Sequence, residues 1–220
     1  MLVNGAIADK ASRQVDPGDA IVLDGPAARY VSRGGEKLDA ALEAFELVVT
    51  GMNVLDAGAS TGGFTDCLLQ RGAARVAAVD VGHGQLHPRI RADDRVLVIE
   101  RLNIRDIDND QIGGPVDLVV GDLSFISLKR VIPALLSVAK PGAPLVLLVK
   151  PQFEAGRQEV SKGRGIIKDP EIHERVRTEI GDALVAHGCS SPRWIDSPVM
   201  GAQGNREFLV LTNAPETSAT

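Results

Sequence analysis

The chain is poor in aromatic rings, with one Trp, one Tyr and five Phe making up 3% of 220 residues. Base stacking on aromatic platforms is therefore expected to be a minor contributor to any contact with nucleic acid. Two cysteines, Cys67 and Cys189, lie far apart without metal-ligand spacing, which removes a thiolate metal site from consideration. In a reducing compartment both stay thiols, and Cys67 is expected in the core. His83 and His87 have no Cys or Asp partner at ligand spacing, so they read as structural or cofactor-adjacent, and no metal is expected. Apolar runs are interrupted within about ten residues, far short of the roughly 20 that span a bilayer. The opening Met1-Leu2-Val3-Asn4-Gly5 has neither a basic start nor an apolar signal core, so a cytoplasmic protein is expected. Positive charge is also scarce. With 24 Lys and Arg against 29 Asp and Glu the formal charge is −5, which argues against binding nucleic acid through global basicity and leaves a local patch.

What is present is ordinary for a globular chain: 44% hydrophobic and 24% charged residues, enough for one full core and a short appendage. Short β-branched runs at 54–55, 76–79, 96–99, 116–120 and 145–149 alternate with segments of helical length, including 63–70 and 128–139. Runs without polar alternation suit strands buried on both faces, and their alternation with helices predicts a parallel sheet. Leu38, Leu42, Phe45 and Val49 are spaced for one helix face from Gly34 onward. Asp169-Pro170 opens a helix whose apolar positions Ile172, Val176, Ile180, Leu184 and Val185 run to about His187. Runs at 193–199 and 208–211 are expected to pair antiparallel at the sheet edge. The fold class is thus α/β, a Rossmann-like doubly wound, mostly parallel sheet with an antiparallel C-terminal edge strand. The first 30 residues are a fragment too small for its own core, with strand-like runs at 2–3 and 20–23; residues 31–214 form the main domain and 215–220 a flexible tail.

The segment Asp56-Ala57-Gly58-Ala59-Ser60-Thr61-Gly62-Gly63-Phe64 ends the first strand of that domain and opens a helix. Its glycines let backbone turn tightly and approach a ligand, yet the G-x-G-x-x-G spacing of a dinucleotide fingerprint is absent. A carboxylate at Asp56 would repel phosphates but suit the sulfonium and ammonium of S-adenosylmethionine. Asp80, at the end of the second strand, is placed to accept hydrogen bonds from ribose hydroxyls, and Asn103 after the third would lie near an adenine. The alternative is that Asp56 and Asp80 only terminate strands. The cofactor-facing candidates are Asp56, Gly58, Ser60, Gly62, Gly63, Phe64, Asp80, Asn103 and Asp122.

Asp122 follows the fourth strand and Lys150 the fifth, and in this topology both ends open on one crevice. Such a pair is either an ion pair anchoring the sheet or an amine tuned for proton transfer.

Ser32-Arg33-Gly34-Gly35-Glu36-Lys37-Leu38, the 56–64 loop, Gly121-Asp122-Leu123-Ser124-Phe125-Ile126-Ser127, Val149-Lys150-Pro151-Gln152-Phe153-Glu154 and Gly204-Asn205-Arg206-Glu207-Phe208 together resemble the TlyA (hemolysin A) family of FtsJ-like ribosomal RNA 2′-O-methyltransferases. The resemblance covers about residues 30–213. It implies a Lys-Asp-Lys-Glu catalytic set falling on Lys37, Asp122, Lys150 and Glu207, S-adenosylmethionine as cofactor, and ribosomal RNA or ribosomal subunits as partner, with cytidine as the methylated nucleotide. Lys150 is then the group nearest the ribose hydroxyl, as neutral base or as cation stabilising an alkoxide. Lys37 acts on it through like-charge repulsion, while Asp122 and Glu207 orient both amines.

Residues 150–168 carry five cationic side chains, Lys150, Arg157, Lys162, Arg164 and Lys168, against Glu154 and Glu159, a loop able to grip phosphates. The turn at 201–205 is a further candidate for shaping the substrate side. Family members carry an N-terminal RNA-binding module of the ribosomal protein S-four kind; residues 3–24 resemble its closing strands, with the leading helices missing. Two other function classes compete. A cytolysin, suggested by the hemolysin name, needs a membrane-inserting element that the sequence lacks. A noncatalytic RNA-binding assembly factor would keep the fold and lose methyl transfer, and a dinucleotide oxidoreductase is more distant.

Overall fold

The computed structural model describes residues 2–8, 13–22, 28–201 and 203–217, with the side chains of Arg157 and Lys162 outside that description. Leu23 and Asp24, expected in the closing strands of the front fragment, also lie outside it. That fragment forms a hairpin of β1 (Leu2–Val3) and β2 (Ala6–Ile7), turned by Asn4 and Gly5 at positive φ, with β3 (Ile21–Val22) antiparallel on the other side of β1. Asn4 fastens it, donating to Asp19 at 2.7 Å and accepting from the Ala20 amide at 2.8 Å.

The main domain opens with α1 (Gly34–Ala44), β4 (Asn53–Ala57), α2 (Gly63–Gln70) and β5 (Arg75–Asp80). It continues through α3 (Pro88–Arg91), β6 (Val96–Glu100), α4 (Asn109–Ile112) and β7 (Leu118–Gly121). Next come α5 (Ile132–Val138), β8 (Pro144–Val149), α6 (Pro151–Glu154) and α7 (Arg157–Lys162). The chain closes with α8 (Pro170–Ala186), β9 (Arg193–Asp196) and β10 (Phe208–Asn213). The seven-stranded sheet runs β6-β5-β4-β7-β8-β10-β9, parallel from β6 to β8 and antiparallel at β10 and β9. The mostly parallel α/β architecture read from the sequence is the one observed.

Alternate residues of each central strand feed opposite cores. Leu145, Leu147 and Val149 join Ile132, Leu135, Val176, Ile180 and Leu184 on one face, while Val146 and Leu148 join Leu38, Leu42 and Leu68 on the other. Both faces are thereby dry, which is why these strands read as uninterrupted apolar runs.

Several boundaries differ from the sequence expectation for local reasons. The run at 116–120 yields a strand only from Leu118, because Val116 makes an isolated bridge to Ala139 and the Asp117 carboxylate is taken by the Asn53 amide and Lys140. The segment 128–139 is a 3-10 turn (Leu128–Arg130) followed by α5, whose Pro133 is tolerated in the first turn, where its missing N–H is not needed. Residues 150–168, read as a loop, contain α6 and α7. Val185, placed on the apolar face of α8, is exposed, while Ile180 and Leu184 carry that contact. Asp169 caps α8 as expected, accepting from the Glu171 amide at 2.9 Å.

Leu147 is wholly buried at the centre of the sheet. Leu147→Ala is expected to lower unfolding free energy by about 2–5 kcal/mol, the usual cost of an emptied leucine site, read from urea denaturation midpoints.

Candidate functional site

Strand order reverses between β4 and β7: from β4 the sheet grows through β5 and β6 on one side and through β7 and β8 on the other. In open α/β sheets this switch point leaves a crevice beyond the carboxyl ends of the two strands, since their connections depart in opposite directions. Here a crevice of about 1260 Å³ opens at that place, lined among others by Gly58, Ser60, Asp80, Asn103, Asp122, Ser124, Phe125 and Phe153.

Its near wall is the turn after β4. Gly58 has φ +87°, and a Cβ there would sit 2.8 Å from the Asp122 carbonyl oxygen, so only glycine lets the β4 and β7 ends close on each other. The Gly58 and Ala59 amides both donate to the Val79 carbonyl, at 2.8 and 3.1 Å. Asp80 completes the turn: its carboxylate accepts from the Ser60 amide at 2.8 Å and the Gly82 amide at 2.7 Å. Asp80 thus shapes the loop while keeping further lone pairs for ribose hydroxyls. Asn103 spends its side-chain oxygen on the Arg105 amide and Nε, which leaves its amide N–H groups for a ligand.

Other residues chosen from the loop stand behind this wall. Gly62, with φ +92°, faces Leu86 and Ile90, and Gly63 packs against the Gly35 amide and Ser32; both spaces serve helix packing. Phe64 belongs to the core shared with α1. Asp56 is 0% exposed: Oδ2 accepts from Thr65 Oγ1 at 2.6 Å, while Oδ1 has no hydrogen-bond partner among the described residues. Burial pushes its carboxyl up to about 7, the Asp122 and Asp80 charges adding to the rise and the Thr65 hydrogen bonds opposing it. Asp56 therefore does not line the crevice, although the sequence placed it among the cofactor-facing residues; the side-chain-free turn at Gly58 and the unspent polar groups of Asp80 and Asn103 do line it, and these fit S-adenosylmethionine.

The four charged candidates meet at the same end of the sheet as two pairs. Asp122 follows β7 and Lys150 follows β8; Lys150 Nζ lies 2.6 Å from Asp122 Oδ1. Because β10 runs antiparallel to β8 with Phe208 opposite Val149, the preceding Glu207 is delivered to the Lys150 end. Glu207 Oε2 accepts from Lys37 Nζ, on the first turn of α1, at 2.5 Å, and both residues are buried. Each lysine therefore faces its own carboxylate, a pairing that sequence spacing could not give.

Three features at or beside the crevice were not assigned roles from the sequence. Ser124 accepts a hydrogen bond from Lys150 Nζ at 2.8 Å. Phe125, in a left-handed conformation at φ +63°, is 91% exposed and lies 5.1 Å from the Phe153 ring centroid. Glu154 accepts from Ser127 Oγ at 2.5 Å and the Leu128 amide at 2.8 Å, binding the 122–128 loop to α6. All three lie inside the quoted motifs, but a motif does not say which way its side chains point. His87 is structural, its Nδ1 accepting from the Arg89 amide at the start of α3. Among the described residues no His, Cys, Asp and Glu cluster could hold a metal ion.

A doubly wound sheet with a crevice at its switch point, matched by an FtsJ-like family model, makes the chain an S-adenosylmethionine-dependent methyltransferase. The chain belongs to the FtsJ-like methyltransferase family, whose model matches residues 30–214. It is 50% identical over 190 residues to the 16S/23S rRNA (cytidine-2′-O)-methyltransferase TlyA of Mycobacterium tuberculosis, spanning 86% of this chain and 70% of that one. It is also 40% identical over 211 residues to Hemolysin A of Brachyspira hyodysenteriae, spanning 95% and 87%. A solved S-adenosylmethionine-dependent methyltransferase from Mesorhizobium loti shares the fold at TM-score 0.58 and 18% identity, covering 79% of this chain and 96% of that one.

Two outcomes are expected. Gly58→Ala should weaken S-adenosylmethionine binding by about tenfold or more in calorimetry, since the new methyl would part the two strand ends. The second concerns pH. The unfolded chain loses the Asp56 proton near 3.8 and the folded one near 7, so between these values folding takes up a proton and stability falls as pH rises. In ligand-free protein, denaturation at about pH 5 and about pH 7.5 should show wild type losing on the order of 1–4 kcal/mol that Asp56→Asn does not lose.

Proposed function

We propose that this protein transfers a methyl group from S-adenosylmethionine to the ribose 2′-hydroxyl of a cytidine in ribosomal RNA, with Lys37, Asp122, Lys150 and Glu207 as its reactive set. The observation that carries this reading is Lys150, 9% exposed at the carboxyl end of β8, paired with Asp122 beside the Gly58 turn. The named activity of the Mycobacterium tuberculosis relative supplies the substrate class.

When bound, the cofactor supplies a methyl carbon attached to a cationic sulfur, open to in-line attack. A ribose hydroxyl attacks poorly until its proton is drawn away. Lys150 Nζ is the group to do so: it either takes the proton as neutral amine or steadies the developing alkoxide as cation. Asp122 holds that amine at the crevice wall. Lys37 and Glu207 form a buried ion pair, so that neither charge is left unpaired. Asp80 and Asn103 orient the nucleoside part of the cofactor from the opposite wall.

RNA reaches this wall over a mixed rim. Arg105 and Arg130 line the crevice, and the exposed Phe125 ring offers one stacking face for an unstacked base. Arg164 and Lys168 stand in the segment after α7, where a backbone phosphate could be held. We read residues 1–30 as the closing strands of an RNA-binding module, residues 31–214 as the catalytic unit and residues 215–220 as a tail, and we place the protein with ribosomes in the cytoplasm.

The Brachyspira hyodysenteriae relative's name motivates one other reading, a cytolysin. No helix among the described residues is long and apolar enough to cross a membrane. Lysis of red cells by pure, detergent-free protein would support that reading.

The test is tritium transfer from labelled S-adenosylmethionine to ribosomal subunits. Wild type should label rRNA, and Lys150→Ala should lower the rate at least about 100-fold while cofactor binding persists, the usual span for a lost general base. Full activity in Lys150→Arg would remove the base assignment, because guanidinium does not give up its proton. RNA binding that survives in every variant without any methyl transfer by wild type would instead indicate a noncatalytic assembly factor.

A further inference from the structure

Lys150 has two polar partners at the crevice, which differ in kind, beside the Phe153 ring, whose centroid lies 5.9 Å from Nζ. Asp122 Oδ1 is a carboxylate oxygen 2.6 Å from Nζ, an ion pair. The contact with Ser124 Oγ at 2.8 Å is a directed hydrogen bond. An ammonium carries three N–H groups on a nitrogen free to spin about its last carbon bond, and two partners in different directions fix that rotation more firmly than one. Ser124 supplies the second of the two.

Ser124 is itself exposed and sits in an irregular loop, so its hold on Lys150 depends on how that loop is fixed. The loop is tied to the segment carrying Lys150 at two further points. Phe125 packs on Phe153 with ring centroids 5.1 Å apart, and the Glu154 carboxylate accepts from Ser127 Oγ and the Leu128 amide. Ser124–Lys150, Phe125–Phe153 and Ser127–Glu154 therefore pair the two segments residue by residue. The left-handed backbone at Phe125 is the local cost of the turn that brings Ser124 back over the amine.

We propose that Ser124 is a positioning residue for Lys150: its hydroxyl fixes the rotation of the amine so that one of the remaining directions at Nζ points into the crevice, toward the acceptor hydroxyl. This rests on the reading of Lys150 as the group nearest that hydroxyl. Its chemistry is general to any ribose acceptor and independent of which nucleotide is methylated.

The experiment joins kinetics to a measurement that needs no turnover. In 15N-lysine-labelled protein the Lys150 Nζ resonance, assigned by its loss in Lys150→Ala, should be protected from water exchange in wild type. It should lose at least about tenfold of that protection in Ser124→Ala and recover it in Ser124→Thr, which keeps the hydroxyl. In the tritium assay Ser124→Ala should lower kcat by about tenfold with KM for cofactor and rRNA within about twofold, and Ser124→Thr should return to within about threefold of wild type, the pattern of an interaction made in the transition state. Equal exchange in wild type and Ser124→Ala would overturn the proposal. So would a loss confined to KM for rRNA, which would make Ser124 an RNA contact, or a loss that Thr does not repair. If wild type methylates no rRNA while the exchange pattern holds, the substrate reading fails and the positioning of the amine stands.

Discussion

The structure depends on the parallel pairing of β4 with β7, which sets Asp56 opposite Val120 and Ala57 opposite Gly121 and so makes the two strand ends finish together. Everything reactive is hung from that coincidence. Gly58 leaves β4 with no side chain because the Asp122 carbonyl occupies the space, and the Asp122 amide in turn donates to the Ala57 carbonyl at 3.0 Å. A candidate cofactor loop and a candidate catalytic carboxylate are thereby held one backbone contact apart. In a dry parallel sheet such a junction cannot slide, since a slip of one residue would exchange the two cores.

Antiparallel β10 extends the same logic by a different route. A further parallel strand beside β8 would bring its carboxyl end to the crevice; β10 brings its amino end, so Glu207 arrives before the strand and not after it. Asn205, two residues earlier, accepts from the Ile167 amide and donates to the Gly165 carbonyl, both at 2.9 Å. The segment that leaves the crevice after α7 is thus pinned to the segment that delivers Glu207. His173, from the first turns of α8, adds a contact to the Ile167 carbonyl and packs edge-on against Phe208.

Charge in the site is arranged by burial. Asp56 lies behind the cradle with no cation paired to it among the described residues, and its low-dielectric surroundings raise its carboxyl. Lys37 and Glu207 are buried too, but they face each other, which removes the penalty that either would carry alone. The exposed rim is different in character: Phe125 and the lining arginines offer a surface for a large polar ligand without closing over it.

Much of this was legible in the sequence because it is encoded locally. Uninterrupted apolar runs marked the central strands, since burial on both faces removes the polar alternation of a half-wet sheet. The acidic and basic residues at run ends marked the crevice, and Asp169-Pro170 marked the start of α8. Local signals were also where the reading slipped. Val116 is apolar but stands outside β7, and residues 150–168 hold two short helices whose few turns leave too little periodicity to detect.

The sequence by itself determined the alternation of the central strands with helices and the glycine turn after β4, because each depends on neighbours a few positions away; Lys37 and Glu207 were singled out only through the family resemblance. Tertiary structure alone decided which charge faces which, that Gly62 and Gly63 serve helix packing, that Asp56 is sealed from the crevice, and that Ser124 holds Lys150. Lys37 and Glu207 are 170 positions apart, and only the sheet order brings them to 2.5 Å. A pairing of that kind is a property of strand register and crossover direction, neither of which any single stretch of chain carries.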